Sequence, residues 1–264
     1  MKKIVIAVVA ALALVAASDA SAQSVGRKKP KYPHQHENVF APGIHFGYVH
    51  SGYSVRDIYS GVVDRGVKRM DGVNLGLTMD FTLIPHTLYF HSGLDYVYQM
   101  NNPEKENNKD FAGLLGFKNV SGKNKDHNLD IPIQLKYKYD ITPSVGVFAQ
   151  LGPTLSFGMS SKMVYRGRTE DGDNVLLTYN YYTGKLKTKG TPGVLEDVVN
   201  GILPESRFKS MDVRLGGAVG ATLFEIFEAS VGYQQGLVNK FKGEIAKEDK
   251  MRRGMFYLTV GVRF

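Results

Sequence analysis

The chain has 264 residues, a formal net charge of +8, 43% hydrophobic residues and no cysteine. Without cysteine there is no disulfide, no thiolate chemistry, no Cys-based zinc site and no lipidation at an N-terminal Cys. Apart from the first residues, no apolar run approaches the ~20 residues of a spanning helix, so any membrane crossing must use strands.

Residues 1–22 read as a secretory signal: Lys2 and Lys3 at the start, an apolar run over 4–17, and Ala20-Ser21-Ala22 as the cleavage pattern. Removing Lys2, Lys3 and Asp19 with that segment leaves 31 basic and 24 acidic residues. The basic excess is spread along the chain beside no nucleic-acid motif. Its natural partner is an anionic outer-membrane lipid or glycolipid surface, with simple solvation of the charges as the plain alternative. Residues 23–39 are polar and broken by Pro30 and Pro33, which predicts a periplasmic lead. His34 and His36 lack a third ligand, so no metal site is expected there, and no cofactor motif occurs elsewhere.

From residue 40 to 264 the chain alternates. Residues 43–54 carry Ile44, Phe46 and Tyr48. Over 72–84, Val73, Leu75, Leu77, Met79, Phe81 and Leu83 interleave with Asn74, Gly76, Thr78, Asp80 and Thr82. Pro85-His86 breaks the run, and Leu88, Phe90, Leu94, Tyr96 and Tyr98 carry it back. Period two is the signature of a strand with unlike faces. Further strands are predicted over 127–141, 144–162, 210–223, 227–239 and 253–264, for eight in all. Short connections (84–87, 140–144, 224–227) alternate with long ones (55–71, 101–126, 161–209, 240–252). That asymmetry predicts an all-β, eight-stranded antiparallel up-and-down transmembrane β-barrel, with short periplasmic turns, long extracellular loops and both termini periplasmic.

The polar face decides between this and a soluble barrel. It is rich in glycine (Gly47, Gly76, Gly152, Gly216 and Gly232 among others) with Ser and Thr between, as suits a narrow lumen filled by side chains. A water-facing exterior would carry long Lys and Glu. Tyr53, Tyr98, Tyr137, Tyr139, Phe227 and Phe264 lie toward strand ends, where an aromatic girdle is expected.

LDIPIQLKYKY (129–139), GPTLSFGMSSK (152–162), RLGGAVGA (214–221), ASVGYQQGLVN (229–239) and the terminal YLTVGVRF resemble the PorT-like outer-membrane β-barrel domain of Bacteroidetes-type bacteria. The resemblance implies an outer-membrane protein of the cell envelope. Most members of that family have no assigned biochemistry, and some relatives assist a secretion system. The closing Phe264 resembles the signal read by barrel-assembly machinery.

Inward parity holds Asp80, His91, Asp95, Asp130, Lys136, Lys138, Asp212, Arg214, Glu228 and Arg263, which must pair in a poorly hydrated lumen. Asp80, Lys138, Glu228 and Arg263 are expected near the periplasmic end, and Asp95, Lys136 and Gln150 nearer the middle. Asp80, His91 and Asp95 are expected to find partners in Lys136 and Lys138. For catalysis at the rim, Ser121 with His127 (Asp126 adjacent) or Ser51 with His50 is the best nucleophile–base set available. His50 and Ser51, as neighbours on a strand, point opposite ways. In 161–209, Asp171-Gly172 signals a hairpin between 162–165 and 175–179, and Thr191-Pro192 a short helix carrying Val194, Leu195, Val198, Val199 and Ile202. Hairpin, helix and Tyr179–Tyr182 either pack over the barrel mouth or form a docking surface for a protein partner. The expected function is that of a non-enzymatic, monomeric barrel with an occluded lumen, acting in envelope binding or assembly. The alternatives are a narrow porin-like channel for small solutes and a rim enzyme modifying lipid or peptide.

Overall fold

The computed structural model describes residues 39–55, 69–102, 118–169, 172–190, 208–243, 245–248 and 250–264. The expected signal segment, the lead with His34 and His36, Asp171 and the expected helix after Thr191 lie outside the described residues.

Among the described residues ten strands form one antiparallel sheet: β1 (Phe40–Val55), β2 (Arg69–Ile84), β3 (Leu88–Asn101), β4 (Lys118–Thr142), β5 (Val145–Arg168), β6 (Asn174–Asn180), β7 (Lys185–Lys189), β8 (Met211–Leu223), β9 (Phe227–Gly236) and β10 (Met251–Arg263). The order is β4-β3-β2-β1-β10-β9-β8-β5-β6-β7, and β4 also pairs with β5. That last pairing closes eight strands into a ring. β6 and β7 stand outside it. One four-residue helix, α1 (Ile245–Glu248), lies between β9 and β10.

The strand count therefore departs from eight, and the reason lies in β5. Its first half pairs with β8 from Val145 to Phe157, and its second half pairs with β6 from Lys162 to Arg168. Facing it, β4 begins at Lys118 and not near His127, so the β4–β5 hairpin rises well beyond the ring. Residues 118–126 carry no apolar alternation, because both faces there have left the hydrocarbon, and periodicity alone reads them as loop.

Each ring strand turns one parity outward. Leu75, Leu77, Leu151 and Val219 are between 53% and 66% exposed on the bare chain, whereas Lys136, Arg214 and Arg253 are at most 1% exposed. A water-soluble chain does not leave so continuous an apolar exterior bare. The apolar side meets lipid and the polar side fills the ring. Tyr53 is a correction to the girdle: it lies an odd number of residues from Tyr48, points into the ring and is buried.

The connections at one end are tight. Thr87 N–H donates to Ile84 O (3.1 Å) and Ile226 N–H to Leu223 O (3.2 Å). Phe224 and Glu225 both take positive φ (53° and 61°), as the central pair of the tight turn closed by Leu223 and Ile226. This is the turn end; the other is the loop end.

The luminal glycines have a specific use. A Cβ on Gly72 would meet Gln99 Cα at 2.7 Å, one on Gly152 would meet Gln134 Cα at 2.7 Å, and one on Gly216 would meet Gln234 Cα at 2.6 Å. Each inward glutamine folds across a glycine of the adjacent strand. The narrow ring thereby holds long polar side chains without widening.

Candidate functional site

The interior is stacked in layers. Nearest the turn end, Lys136 Nζ lies 2.9 Å from Asp80 Oδ2 and 2.8 Å from Glu228 Oε1. Asp80 Oδ1 is 2.6 Å from His91 Nδ1, and Arg263 Nε is 3.8 Å from Asp80 Oδ2. Phe148 sits under the Lys136 ammonium and Tyr89 under the Arg263 guanidinium. Five strands converge here, because β2, β3, β4, β9 and β10 all present polar parity near the turn end.

Asp80, His91, Glu228 and Arg263 of this layer also line a cavity of about 70 Å³, together with His45, Asn74, Asp95, Gln134 and Gln150 among others. It has room for several waters. Val49, Val97, Ala218, Met255 and Tyr257 form an apolar layer inside the ring.

A second charged layer is built on two arginines. Arg214 holds Asp130 bidentately (Nη1–Oδ2 2.8 Å, Nη2–Oδ1 3.1 Å), donates to Ser156 Oγ and lies 3.9 Å from Asp212. Arg253 donates to Asp126 Oδ2 at 3.4 Å and Ser51 Oγ at 3.3 Å, beneath the Tyr53 ring. The loop end is then capped by Tyr53, Met70, Met251, Phe208 and Phe241, with Tyr181 and Tyr182 against them. Phe208 bridges to Phe241 and stacks on Tyr181 at 4.9 Å between centroids. The cap thus ties the β6–β7 turn to the connections before β8 and after β9.

Several expected pairings change. Lys136 belongs to the turn-end layer with Asp80 and does not sit mid-lumen. Lys138 pairs with Asp140 at 3.0 Å and not with Asp80. Asp95 lies 3.3 Å from His45 Nε2 and meets neither lysine. His45, Asp126 and Arg253 were absent from the expected network. Parity could have found them: His45 alternates with Ile44 and Phe46, and Arg253 is odd where Phe256 and Leu258 are even. Tyr179 is buried, and Tyr181 and Tyr182 pack on the cap, so the Tyr179–Tyr182 run faces inward and offers no exposed aromatic docking patch.

The rim nucleophile sets do not assemble. Ser51 is buried beside Gln99 and Arg253, while His50 turns outward to Asp71 at 2.8 Å, where the Tyr48 hydroxyl also donates. His127 also faces outward, with Tyr96 Oη at 2.5 Å from its Nδ1. Asp126 faces inward toward Arg253. Ser121 is six positions from His127 along β4, roughly 20 Å at ~3.3 Å per residue. Among the described residues no group of three or more His, Asp or Glu side chains could hold a metal ion.

Lys240, between β9 and β10 and outside the spanning strands, is buried, with Nζ 3.5 Å from Lys209 O. Burial lowers its ammonium pKa to about 8, with Asp212 opposing and Arg253 and Arg214 adding. Between that value and the ordinary 10.5 the unfolded chain binds more protons, so stability should rise with pH across this window. Thermal unfolding at pH 7.5, 9 and 10 should show the rise, relative to Lys240→Met, which lacks the group.

An antiparallel ring with an apolar exterior and a charged, side-chain-filled interior defines the class of transmembrane β-barrels. The chain belongs to the family described as outer membrane protein beta-barrel domain, which matches residues 7–264, and it is an outer-membrane protein. No curated protein matches it. Among solved structures it is similar to Ail of Yersinia pestis (12% identity, 85% of this chain and 99% of that chain, TM-score 0.41). It is also similar to neisserial surface protein A (12%, 84% and 97%, TM-score 0.36). A third is the N-terminal barrel domain of Pseudomonas aeruginosa OprF (12%, 84% and 97%, TM-score 0.28).

Proposed function

We infer that this barrel neither transports nor catalyses, and that it works as an anchored platform whose loop end, outside the cell, binds or helps assemble envelope components. The observation that carries the reading is the filled lumen: two charged layers and an apolar cap leave a cavity of about 70 Å³. An aqueous pore ordinarily takes ~16–18 strands. The rise of β4 and β5 beyond the ring, with β6 and β7 added to it, is the extramembrane structure such a platform needs. Tight turns at one end and long connections at the other favour periplasmic turns and termini.

Phe264 is 71% exposed beyond β10, where barrel-assembly machinery would meet it. The strand motifs of β4, β5 and β8–β10 support a PorT-like kinship, and with it a secretion-associated role. Planar-bilayer recordings of the purified protein should give no sustained ohmic conductance. A steady conductance proportional to the amount inserted would overturn the platform reading in favour of a solute channel.

A further inference from the structure

The sheet that rises beyond the ring has two unlike faces. Tyr165 on β5 and Val175, Leu177 and Tyr179 on β6 are buried on one of them. The other is legible from the register. Lys125 pairs with Lys162, Lys162 with Asn180, and Asn180 with Lys185, which makes one row across β4, β5, β6 and β7. The next row outward is Lys123, Val164, Thr178 and Lys187. The third is Ser121, Arg166, Leu176 and Lys189. Directly paired residues share a face. These twelve positions therefore hold seven cations and no carboxylate, on a surface where Lys162, Arg166 and the three β7 lysines are exposed. No carboxylate of the described residues forms an ion pair with any of the seven.

Like charges directly opposite one another, as at Lys125 and Lys162, destabilise a bare sheet. Among the described residues no carboxylate offsets it, so the face suits a counter-charge supplied by another molecule. The position of the face says which. Lys125 has the same parity as His127 and Leu129, which face the membrane, and lies four residues beyond Leu129 on the same strand. At ~3.3 Å per residue and a strand tilt of ~40°, that is about 10 Å above the apolar band. A laterally facing cationic grid at this height meets the headgroup zone of the surrounding leaflet. A soluble macromolecule would instead meet the tips of the loops. Each Lys or Arg near an anionic membrane surface contributes ~1 kcal/mol of attraction.

We propose that the outward face of β4–β7 is a binding site for the phosphorylated headgroups of outer-leaflet glycolipid. This rests on the orientation inferred above and names the partner of the loop end. The site is a charge array on a sheet whose other face is buried, so the cations are held at strand spacing, ~4.8 Å between neighbours across the sheet.

The test titrates the detergent-solubilised full-length protein with bis-phosphorylated lipid A, the same lipid dephosphorylated, and soluble polygalacturonate, with inorganic phosphate as competitor. Lipid A should bind in a salt-sensitive manner, and dephosphorylation should weaken it at least ten-fold. The triple variant Lys185→Gln, Lys187→Gln, Lys189→Gln should lose roughly 100-fold, the equivalent of ~1 kcal/mol per cation. Because β7 is outside the ring, that variant should keep the heat-modifiable gel mobility of a folded barrel. Lys125→Gln with Lys162→Gln provides a second variant at the membrane-proximal row. Equal affinity for dephosphorylated lipid, or full affinity in both folded variants, would overturn the proposal. So would polygalacturonate binding as tightly as lipid A, which would make the face a general polyanion surface, or millimolar phosphate displacing the lipid, which would make it a phosphate site. None of those results touches the absence of conductance, so the two readings fail separately.

Discussion

Lys136→Met should lower the stability of the barrel by about 3–5 kcal/mol, the cost of leaving a buried charge without its partner. Lys136 is 1% exposed and is shared by Asp80 and Glu228, which come from β2 and β9 on opposite sides of the ring. Methionine keeps an unbranched side chain beside Phe148 but takes away the ammonium that lies 2.9 Å from Asp80 and 2.8 Å from Glu228. Arg263, at 3.8 Å from Asp80, compensates in part. Adding Asp80→Asn and Glu228→Gln to Lys136→Met should recover more than half of the loss, since the penalty belongs to the stranded charges and not to the missing ammonium. Urea unfolding in lipid, followed by tryptophan-free methods such as circular dichroism and gel mobility, reads both effects. A Lys136→Met barrel as stable as the parent would mean that water reaches this layer freely.

The loop-side layer should respond more sharply to shape than to charge. Arg214→Met removes both donors that hold Asp130 and the nearest cation to Asp212, and a loss of about 3–5 kcal/mol is again expected. Arg214→Lys keeps the charge but not the planar fork that grips Asp130 bidentately while reaching Ser156. It should therefore recover only a minor part of the loss. The two charged layers share no partner among the described residues. Lys136→Met combined with Arg214→Met should thus be additive within about 0.5 kcal/mol. A large coupling would show that the cavity and apolar layer between them transmit strain from one to the other.

Strand alternation alone makes the ring legible. Val73 to Leu83 outward and Asn74 to Thr82 inward is a pattern with one solution once glycine and serine dominate the polar parity. What alternation could not see was sheet that had left the membrane. Lys118–Asp126, Lys162–Arg168, and β6 and β7 have no lipid-facing requirement, so their sequence need not alternate apolar with polar, and only the 171–172 turn signal marks them. Tyr53 shows the opposite error, in which residue type suggested a girdle while parity placed the ring in the lumen under the cap.

The chain by itself determined which side of each strand meets lipid, because hydrocarbon admits only apolar side chains at every second position over a whole strand. It also determined that the inward charges had to pair. Which charge meets which was decided by the tertiary structure alone. Partners such as Lys136 and Glu228, or Arg253 and Asp126, come from strands that are not neighbours in the sheet and meet only across the closed ring. The same holds for the basic grid. Its seven cations come from three strands far apart in sequence, and the register of β4 through β7 is what sets them on one face.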